Sequence, residues 1–357
     1  MSASEEPPLS GKRLPHKNSL RVCLAYNVKH SNPLHDPKKQ NDLEFDSPYV
    51  TGVIKKTLEE LGHKVLMIEA NEDAFEKLKE NKAGIDVVFN IAEGLWGDAR
   101  ESQVPLFCEI LKIPYTHSSP TTHAISLDKT FTKLLLRGVG ILSPQSQVLH
   151  SPEDKVQDLR FPLIVKPNKE GSSKGIFDKN VVRNKTELEE CIKRVSENFK
   201  NEVIMEEYIE GREFTVGLLG NGNPRVLPIV EQKFDFMPKG FNGIASFELK
   251  WIYEDSPKNR KKAYSCPAKI PASLQDKITA TSIKIYKTLG VRDCARIDYR
   301  VDKKGNLYFL EINTLPGLNC EPGVLSYFPL AAKNAGLSYD DLVGEILKLA
   351  CGRYALN

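Results

Sequence analysis

Apolar residues recur along this chain in two rhythms, short unbroken runs that suit buried strands and three-to-four-residue spacing that suits helices. In the first unit the pattern predicts a strand over 20–26, a helix over 49–61 stopped by Gly62, and a strand over 64–68. A helix over 71–80 with Asn71 as its N-cap follows, then a strand over 84–90. Strands alternating with helices imply a parallel sheet covered on both faces. Its ligand edge lies at the strands' carboxyl ends, so the loops after Tyr26 and Asn90 should face a site. A helix over 102–111, a short strand over 113–115 and a helix over 128–138 come next. A second unit opens with a strand over 161–167, a helix over 185–198 and a strand over 203–208; a third begins near Glu213 and ends in a helix over 339–350. The expected fold class is α/β, turning to α+β in the C-terminal half. The expected boundaries are a tail over 1–19 and domains over 20–125, 126–212 and 213–357, with a hinge near Ser143 and Pro144.

One apolar run carries polar residues where a core strand should have none. In LYFLEINTLPGLN, residues 307–319, Glu311 and Asn313 stand at i and i+2 and share a face. Just upstream, ARIDYRV, residues 295–301, bears Arg296 and Asp298 at the same spacing. A four-residue loop over 303–306 would pair Asp302 with Leu307, setting Asp298 opposite Glu311 and Arg296 opposite Asn313. Facing carboxylates destabilise a sheet without a counter-charge. A metal would supply it, and a few oxygen donors with room for phosphate and water suit magnesium better than zinc. A solvated hairpin face with a surface arginine–carboxylate pair is the alternative.

A net charge of +3 from 50 basic and 47 acidic residues gives no electrostatic case for nucleic acid or a membrane surface. Seven scattered cysteines without C-x-x-C spacing read as reduced thiols of a cytoplasmic protein. Cys320, beside the Pro316-Gly317 break, has no histidine close in sequence to activate it. The polar, proline-rich start lacks the apolar core of a signal peptide, and no apolar run is long enough to span a membrane. His30, His35 and His63 lack metal-ligand spacing and are expected at the surface.

Directly after a predicted strand comes KPNKEGSSKGI, residues 166–176, in which glycines let backbone N–H groups approach an anion, serines add donors and lysines add charge. It lacks the Walker order, and a Gly/Ser linker has similar composition. Several motifs now stand in one order: PYTHSSPTTHAISLDKTFTK, the helix containing Gln103, KPNKEGSSKGI, EEYIEGREFTV, ARIDYRV and a glutamate followed by INTLPG. From Asn90 onward the sequence resembles the D-alanine–D-alanine ligase family of ATP-grasp enzymes.

The resemblance implies an ATP-grasp fold with an N-terminal parallel-sheet domain, and nucleotide held between the central and C-terminal domains. It also implies an ATP-dependent ligase that joins two amino acids through an acyl phosphate. By the family pattern, Lys129 and Lys166 hold the nucleotide phosphates, with Ser172 and Ser173 in the covering loop. Backbone groups around Glu206, Glu207 and Ile209 read adenine, Glu213 takes the ribose hydroxyls, and Lys250 is the lysine of a loop that closes over phosphate. Asp298, Glu311 and Asn313 would hold paired Mg2+ ions, with Mn2+ an admissible substitute. Arg296 and the Gly317 N–H would stabilise an oxyanion, and Ser172 would orient the first substrate. Partners are small amino-acid or peptide substrates, a homodimer is compatible, and neither nucleic acid nor membrane is implied.

The sequence departs from the family where amino acids bind. The usual Ser-x-Glu-His-x-Val-Ser loop, whose glutamate anchors an ammonium, is replaced by VKHSNPLHDPKKQNDLEFDSPY, residues 28–49, leaving Glu44 or Asp46 as substitutes. The usual His-Gly loop reads IAEGLWGDARE, residues 91–101; Trp251 replaces a tyrosine, and the loop over 318–329 is longer. A ligase making a different peptide or specialised amide, and a nucleotide-binding module without turnover, are therefore the competing readings. A retained Arg296 speaks against the module, which would have no use for an oxyanion stabiliser.

Overall fold

Strand β1 (Arg21–Tyr26), buried over its four central residues, pairs in parallel with β2 (Lys64–Glu69) on one side and β3 (Val87–Asn90) on the other. In this computed structural model, residues 19–29, 42–151, 153–157, 159–199, 202–254 and 256–356 are described; the tail expected over 1–19, apart from its last residue, lies outside them, as do His30 and His35. Helix α1 (Pro48–Glu60) starts where the sequence signals it, with the Ser47 hydroxyl accepting from the Val50 N–H and proline in the first turn. Helix α2 (Ala74–Asn81) begins later than expected. Asn71 does not cap it; the Asn71 carbonyl accepts the Ala74 N–H in a preceding turn, so the chain is already committed to that turn where the helix was expected. A 3-10 turn over Lys82–Gly84 likewise delays β3, and the strand expected over 113–115 is a single bridge between Val88 and Tyr115. His63 is a further correction. It is 5% exposed, and its Nδ1 accepts the Leu20 N–H at 3.3 Å, because the tight turn after α1 packs against the start of β1.

Helix α3 (Gln103–Leu111) covers one face of this sheet, and α4 (Pro120–Leu127) and α5 (Lys129–Gly138) lead away from it. Asp128 separates α4 from α5: its Oδ1 accepts the Thr130 and Phe131 N–H groups, each at 2.9 Å. The central sheet is antiparallel, ordered β4-β7-β5-β6 from β4 (Ser146–Leu149), β5 (Leu163–Pro167), β6 (Val181–Val182) and β7 (Val203–Glu207). Helix α6 (Lys185–Phe199) lays Leu188, Cys191, Ile192 and Val195 on it.

The last unit contains β8 (Gly211–Leu219), β9 (Arg225–Val226), β10 (Val230–Gln232), α7 (Pro257–Arg260), β11 (Tyr264–Ser265), α8 (Ala272–Thr288), β12 (Cys294–Asp302), β13 (Leu307–Asn313), α9 (Tyr327–Asn334) and α10 (Tyr339–Arg353). Its sheet runs β11-β10-β8-β12-β13, with β9 on β8. At the polar end of the β12–β13 hairpin the register is as expected, Asp298 facing Glu311 and Arg296 facing Asn313. At the turn it is not: Val301, not Asp302, pairs with Leu307, and a bulge at Leu310 restores the frame. Asp302 leaves the ladder's side-chain pairing because its carboxylate accepts the Lys304 N–H, the Asn306 N–H and the Asn306 side-chain amide, each at 2.8 Å. The seven cysteines are all free thiols, and no helix among the described residues is long and apolar enough to cross a membrane.

The first and last units share a core in which Val22, Leu24 and Ile54 pack with Phe328, Val343 and Ile346. Beside it the fully buried Asp293 ties four segments together. Its Oδ2 accepts from the His117 N–H and Arg353 Nη2, both at 2.8 Å, and its Oδ1 from Arg353 Nε and Asn221 Nδ2, both at 2.9 Å. Removing the arginine would strand a buried carboxylate, so Arg353→Met should destabilise the protein by about 3 kcal/mol. Chemical denaturation checks this, and an unchanged midpoint would contradict the role given to Asp293.

Candidate functional site

A cleft runs between the central sheet and the β8–β12–β13 face and extends to the carboxyl ends of β1 and β3. Arg296, Asp298 and Arg300 alternate on β12 and line one wall, with Glu311 and Asn313 of β13 beside them. The two facing carboxylates are met by cations of the protein itself. Arg296 forks onto Asp298, with Nε at 3.2 Å from Oδ1 and Nη2 at 3.0 Å from Oδ2; the Thr215 hydroxyl donates to the same carboxylate at 2.5 Å. Lys129, in the first turn of α5, puts its ammonium 3.4 Å from Glu311 and donates to the Glu170 carbonyl at 2.5 Å. Although burial alone would push the Glu311 carboxyl up, Lys129, Lys166 and Arg296 bring it down to about 2.

Behind these groups sits a buried charged triad. Glu206, 1% exposed at the middle of the site, receives Lys166 at 2.8 Å on Oε2 and Lys133 on Oε1. Burial opposes its ionisation, yet the two ammonium groups hold it down to about 2. The triad fixes β5, β7 and α5 against one another, and the two lysines are positioned by the same carboxylate. Lys133 was not anticipated. It lies four residues after Lys129 on the same helix face, a signal that was present in the spacing.

The glycine-rich segment is folded down over the cleft. Glu44 accepts the Gly171 N–H at 2.8 Å and, on its other oxygen, Arg100 Nη2 at 2.8 Å; Arg100 also donates to the Lys169 carbonyl at 2.8 Å. Glu44, weighed above as an ammonium anchor, is thus engaged in closing the loop. The loop's own lysines are engaged too: Lys169 pairs with Asp98 at 2.7 Å and Glu202 at 3.1 Å, and Lys174 with Glu170 at 3.0 Å. Ser172 and Ser173 have φ of 51° and 60°, a left-handed pair held from outside. Trp251 Nε1 donates to the Ser172 carbonyl at 3.3 Å, and the Ser173 hydroxyl to the Ala245 carbonyl at 2.8 Å. Trp251 therefore supports the covering loop from a π-helical turn, Leu249–Tyr253, that also carries Lys250. Burial, then the neighbouring Arg296, lower the Lys250 ammonium to about 8.

At the outer edge of the cleft the Glu207 N–H is already bound to the Gln145 carbonyl at 2.9 Å. Glu213 on β8 is gripped by Arg300, whose Nη2 and Nε lie 2.7 and 2.9 Å from one carboxylate oxygen. Arg300 also donates to the Ile209 carbonyl at 3.2 Å and stacks 5.3 Å from the Tyr208 ring. Its place in the cleft follows from its alternation with Arg296 and Asp298, which puts it on the same face. Arg100 gave no such signal, since only the fold carries it to Glu44 and Gly171. The Ser326 hydroxyl donates to the Gly317 carbonyl at 3.1 Å and braces the turn after β13.

Among the described residues no group of three or more histidine, cysteine, aspartate and glutamate side chains is disposed to hold a metal. The donor set at the hairpin, Asp298, Glu311 and the Asn313 amide, is smaller and all oxygen. Such a set fits magnesium only if phosphate oxygens and water complete the shell.

Residues 140–348 match the family model described as D-ala D-ala ligase C-terminus. The chain is 35% identical over 296 residues to the D-alanine–D-alanine ligase of Aquifex aeolicus, a match covering 82% of this chain and 92% of that protein. It is also 32% identical over 349 residues to an uncharacterized protein of Sinorhizobium fredii, covering 95% and 99%. The crystal structure of D-alanine–D-alanine ligase from Bacillus anthracis complexed with ATP is similar with a TM-score of 0.69 at 25% identity, covering 94% of this chain and 99% of that one.

The closed loop rests on a contact that a side chain at Gly171 would displace, since the Glu44 carboxylate would have to swing away from the N–H it accepts. A Cβ at Gly171 would lie 2.4 Å from Glu44 Oε1, so Gly171→Ala should lift the loop. Trypsin cleavage after Lys169 and Lys174 should speed up about tenfold while the global denaturation midpoint stays put, as expected for local opening. Unchanged cleavage would mean that Glu44 does not hold the loop down.

Proposed function

The chain belongs to the D-alanine–D-alanine ligase family and has its ATP-grasp fold; on that premise we propose that it uses ATP to join the carboxylate of one amino acid or peptide to the amine of another. The observation that carries the reading is a single cleft in which Arg296, Asp298, Glu311 and Asn313 face Lys129, Lys166 and Lys250. A carboxylate is a poor electrophile and needs a better leaving group. Its oxygen attacks the γ-phosphorus of ATP, the bond to the β-phosphate oxygen breaks, and ADP leaves behind an acyl phosphate. The incoming amine then adds to the acyl carbon, and the tetrahedral oxyanion collapses to an amide, expelling inorganic phosphate as the nitrogen gives up a proton.

Each step asks for charge in a fixed place. Lys129, Lys166 and Lys250 neutralise phosphate oxygens, which is most of what phosphoryl transfer requires. Adenine lies along the backbone from Glu206 and Glu207 to Ile209, and Glu213 takes the ribose hydroxyls with its orientation set by Arg300. The Ser172–Ser173 loop covers the phosphates, and Ser172 orients the first substrate. Asp298, Glu311 and Asn313 would hold magnesium, which when bound supplies further neutralisation of the phosphates. Arg296 and the Gly317 N–H stabilise the oxyanion, a single such donor being worth about 3 kcal/mol. The ATP-bound relative from Bacillus anthracis supports the nucleotide assignment.

Glu311→Gln removes a charge at nearly constant volume. Turnover should fall by about a thousandfold, with the far-UV circular dichroism unchanged; near-normal rates at saturating magnesium would rule out its role. Lys250 is a cation below its pKa of about 8 and loses its proton as the pH rises through that value. The kcat/KM for ATP, which reports the enzyme before ATP binds, should therefore decline above pH of about 8, and Lys250→Gln should weaken that limb without removing it, because burial lowers the Lys133 ammonium to about 8 as well. ATP-dependent phosphate release that requires an added amino acid tests the activity itself. None with any D- or L-amino acid would favour a nucleotide-binding module.

A further inference from the structure

At the end of the cleft bounded by the first sheet, carboxylates outnumber cations among the described residues. Glu44, Asp46, Glu93, Glu101 and Glu170 all line it, drawn from separate loops after β1, after β3, before α3 and after β5. Against them stand Arg100, committed to Glu44 at 2.8 Å and Glu170 at 3.3 Å, and Lys174, committed to Glu170 at 3.0 Å. Lys29 also lines this end, acting on Asp46 and standing 5.1 Å over the Trp251 ring. His123 Nδ1 lies 3.7 Å from Glu101 but 2.9 Å from the Thr314 hydroxyl. Among the described residues these five carboxylates thus meet three permanent cations, Arg100, Lys174 and Lys29. The deficit marks the groups themselves: burial with Glu101 and Glu44 nearby holds the Glu93 carboxyl well above the usual range, and burial pushes Asp46 up to about 7.

A second feature at this end is independent of charge. Ser126 is 5% exposed, lines the same cleft, and its hydroxyl has no hydrogen-bond partner among the described residues. It sits in the last turns of α4, which packs against the 3-10 turn that bears Glu101. A buried hydroxyl without a partner is costly unless water or a ligand satisfies it, and one that opens on a cleft is available to a ligand.

An α-amino acid brings one ammonium, and one carboxylate satisfies it. Two carboxylates in excess, with an adjacent unsatisfied hydroxyl, match a ligand with two cationic groups. We propose that one of the amino acids joined here carries a basic side chain, an amine or guanidinium seated against Glu93, Glu101 and the Ser126 hydroxyl, with its α-ammonium near Asp46. This rests on the ligase reading above, and it narrows the substrate class. It also accounts for the position of the sequence departures, since the replaced loops over 28–49 and 91–101 supply Asp46, Glu93 and Glu101.

The test measures ATP-dependent phosphate release with lysine, ornithine, 2,4-diaminobutyrate and arginine, in both configurations, against alanine and norleucine, the last an uncharged near-isostere of lysine. The expected result is a kcat/KM for at least one basic amino acid about 30-fold or more above that for norleucine, as a buried ion pair would give. Glu93→Gln should cut that preference about tenfold while leaving the KM for ATP unchanged, and Glu101→Gln substitutes where the first variant does not fold. Norleucine or alanine performing as well as every basic amino acid would overturn the proposal and leave the ligase reading intact. Calorimetric titration with lysine and norleucine separates the remaining case. Lysine bound selectively without phosphate release would sink the ligase reading and keep the basic ligand, whereas neither ligand binding would sink the proposal.

Discussion

Two carboxylates, Asp298 and Glu311, stand opposite each other across β12 and β13, and the site is organised around holding them there. Like charges at directly opposed sheet positions repel, and burial strengthens the repulsion by thinning the water between them. The protein answers from two directions. Arg296 and Thr215 hold Asp298 from within the same sheet, while Lys129 reaches Glu311 from α5. Behind the pair the strands are apolar: Ile297, Tyr299, Phe309 and Ile312 pack with Ile278 and Ile285 of α8, so the polar face rests on a rigid backing. Such a backing matters because a catalytic group misplaced by about 1 Å can lose a hundredfold in rate.

The same logic of shared counter-charge links the parts of the chain. Glu206 serves two lysines, Glu44 serves both an arginine and a backbone N–H, and Arg300 serves Glu213 together with carbonyls of the segment that leaves β7. Each hub joins elements distant in sequence, so removing one partner would leave another buried and unpaired, which costs more than the interaction itself contributes. The covering loop closes by these means. Its lysines turn back onto carboxylates, and the cations that face the cleft come from the sheet, from α5 and from the π-helical turn instead.

Much of this was legible in local pattern. The period-two polar positions of β12 and β13 announced a polar face, which lines the cleft, and the pairing of Asp298 with Glu311 followed from counting back from the turn. That count worked through a compensation it did not foresee: Asp302 folds its carboxylate into the turn, the register slips, and the bulge at Leu310 returns it. Asn71 shows the opposite outcome. It has the right chemistry for a helix cap but is used in a turn, because a short polar side chain is equally suited to either. His63, polar in a turn and so expected outside, is buried because that turn packs beneath β1.

What the sequence by itself determined was the order of elements, the polar face of the last hairpin that lines the cleft and the identity of most residues on it, since these follow from periodicities of two and 3.6 residues and from motifs contiguous in the chain. Tertiary structure alone decided which charges meet. Arg100 with Glu44, Lys133 with Glu206 and Arg353 with Asp293 are 56, 73 and 60 residues apart. Nothing in local spacing pairs them, because electrostatic energy depends on distance and burial in space, and both are set only when the three sheets have packed around the cleft.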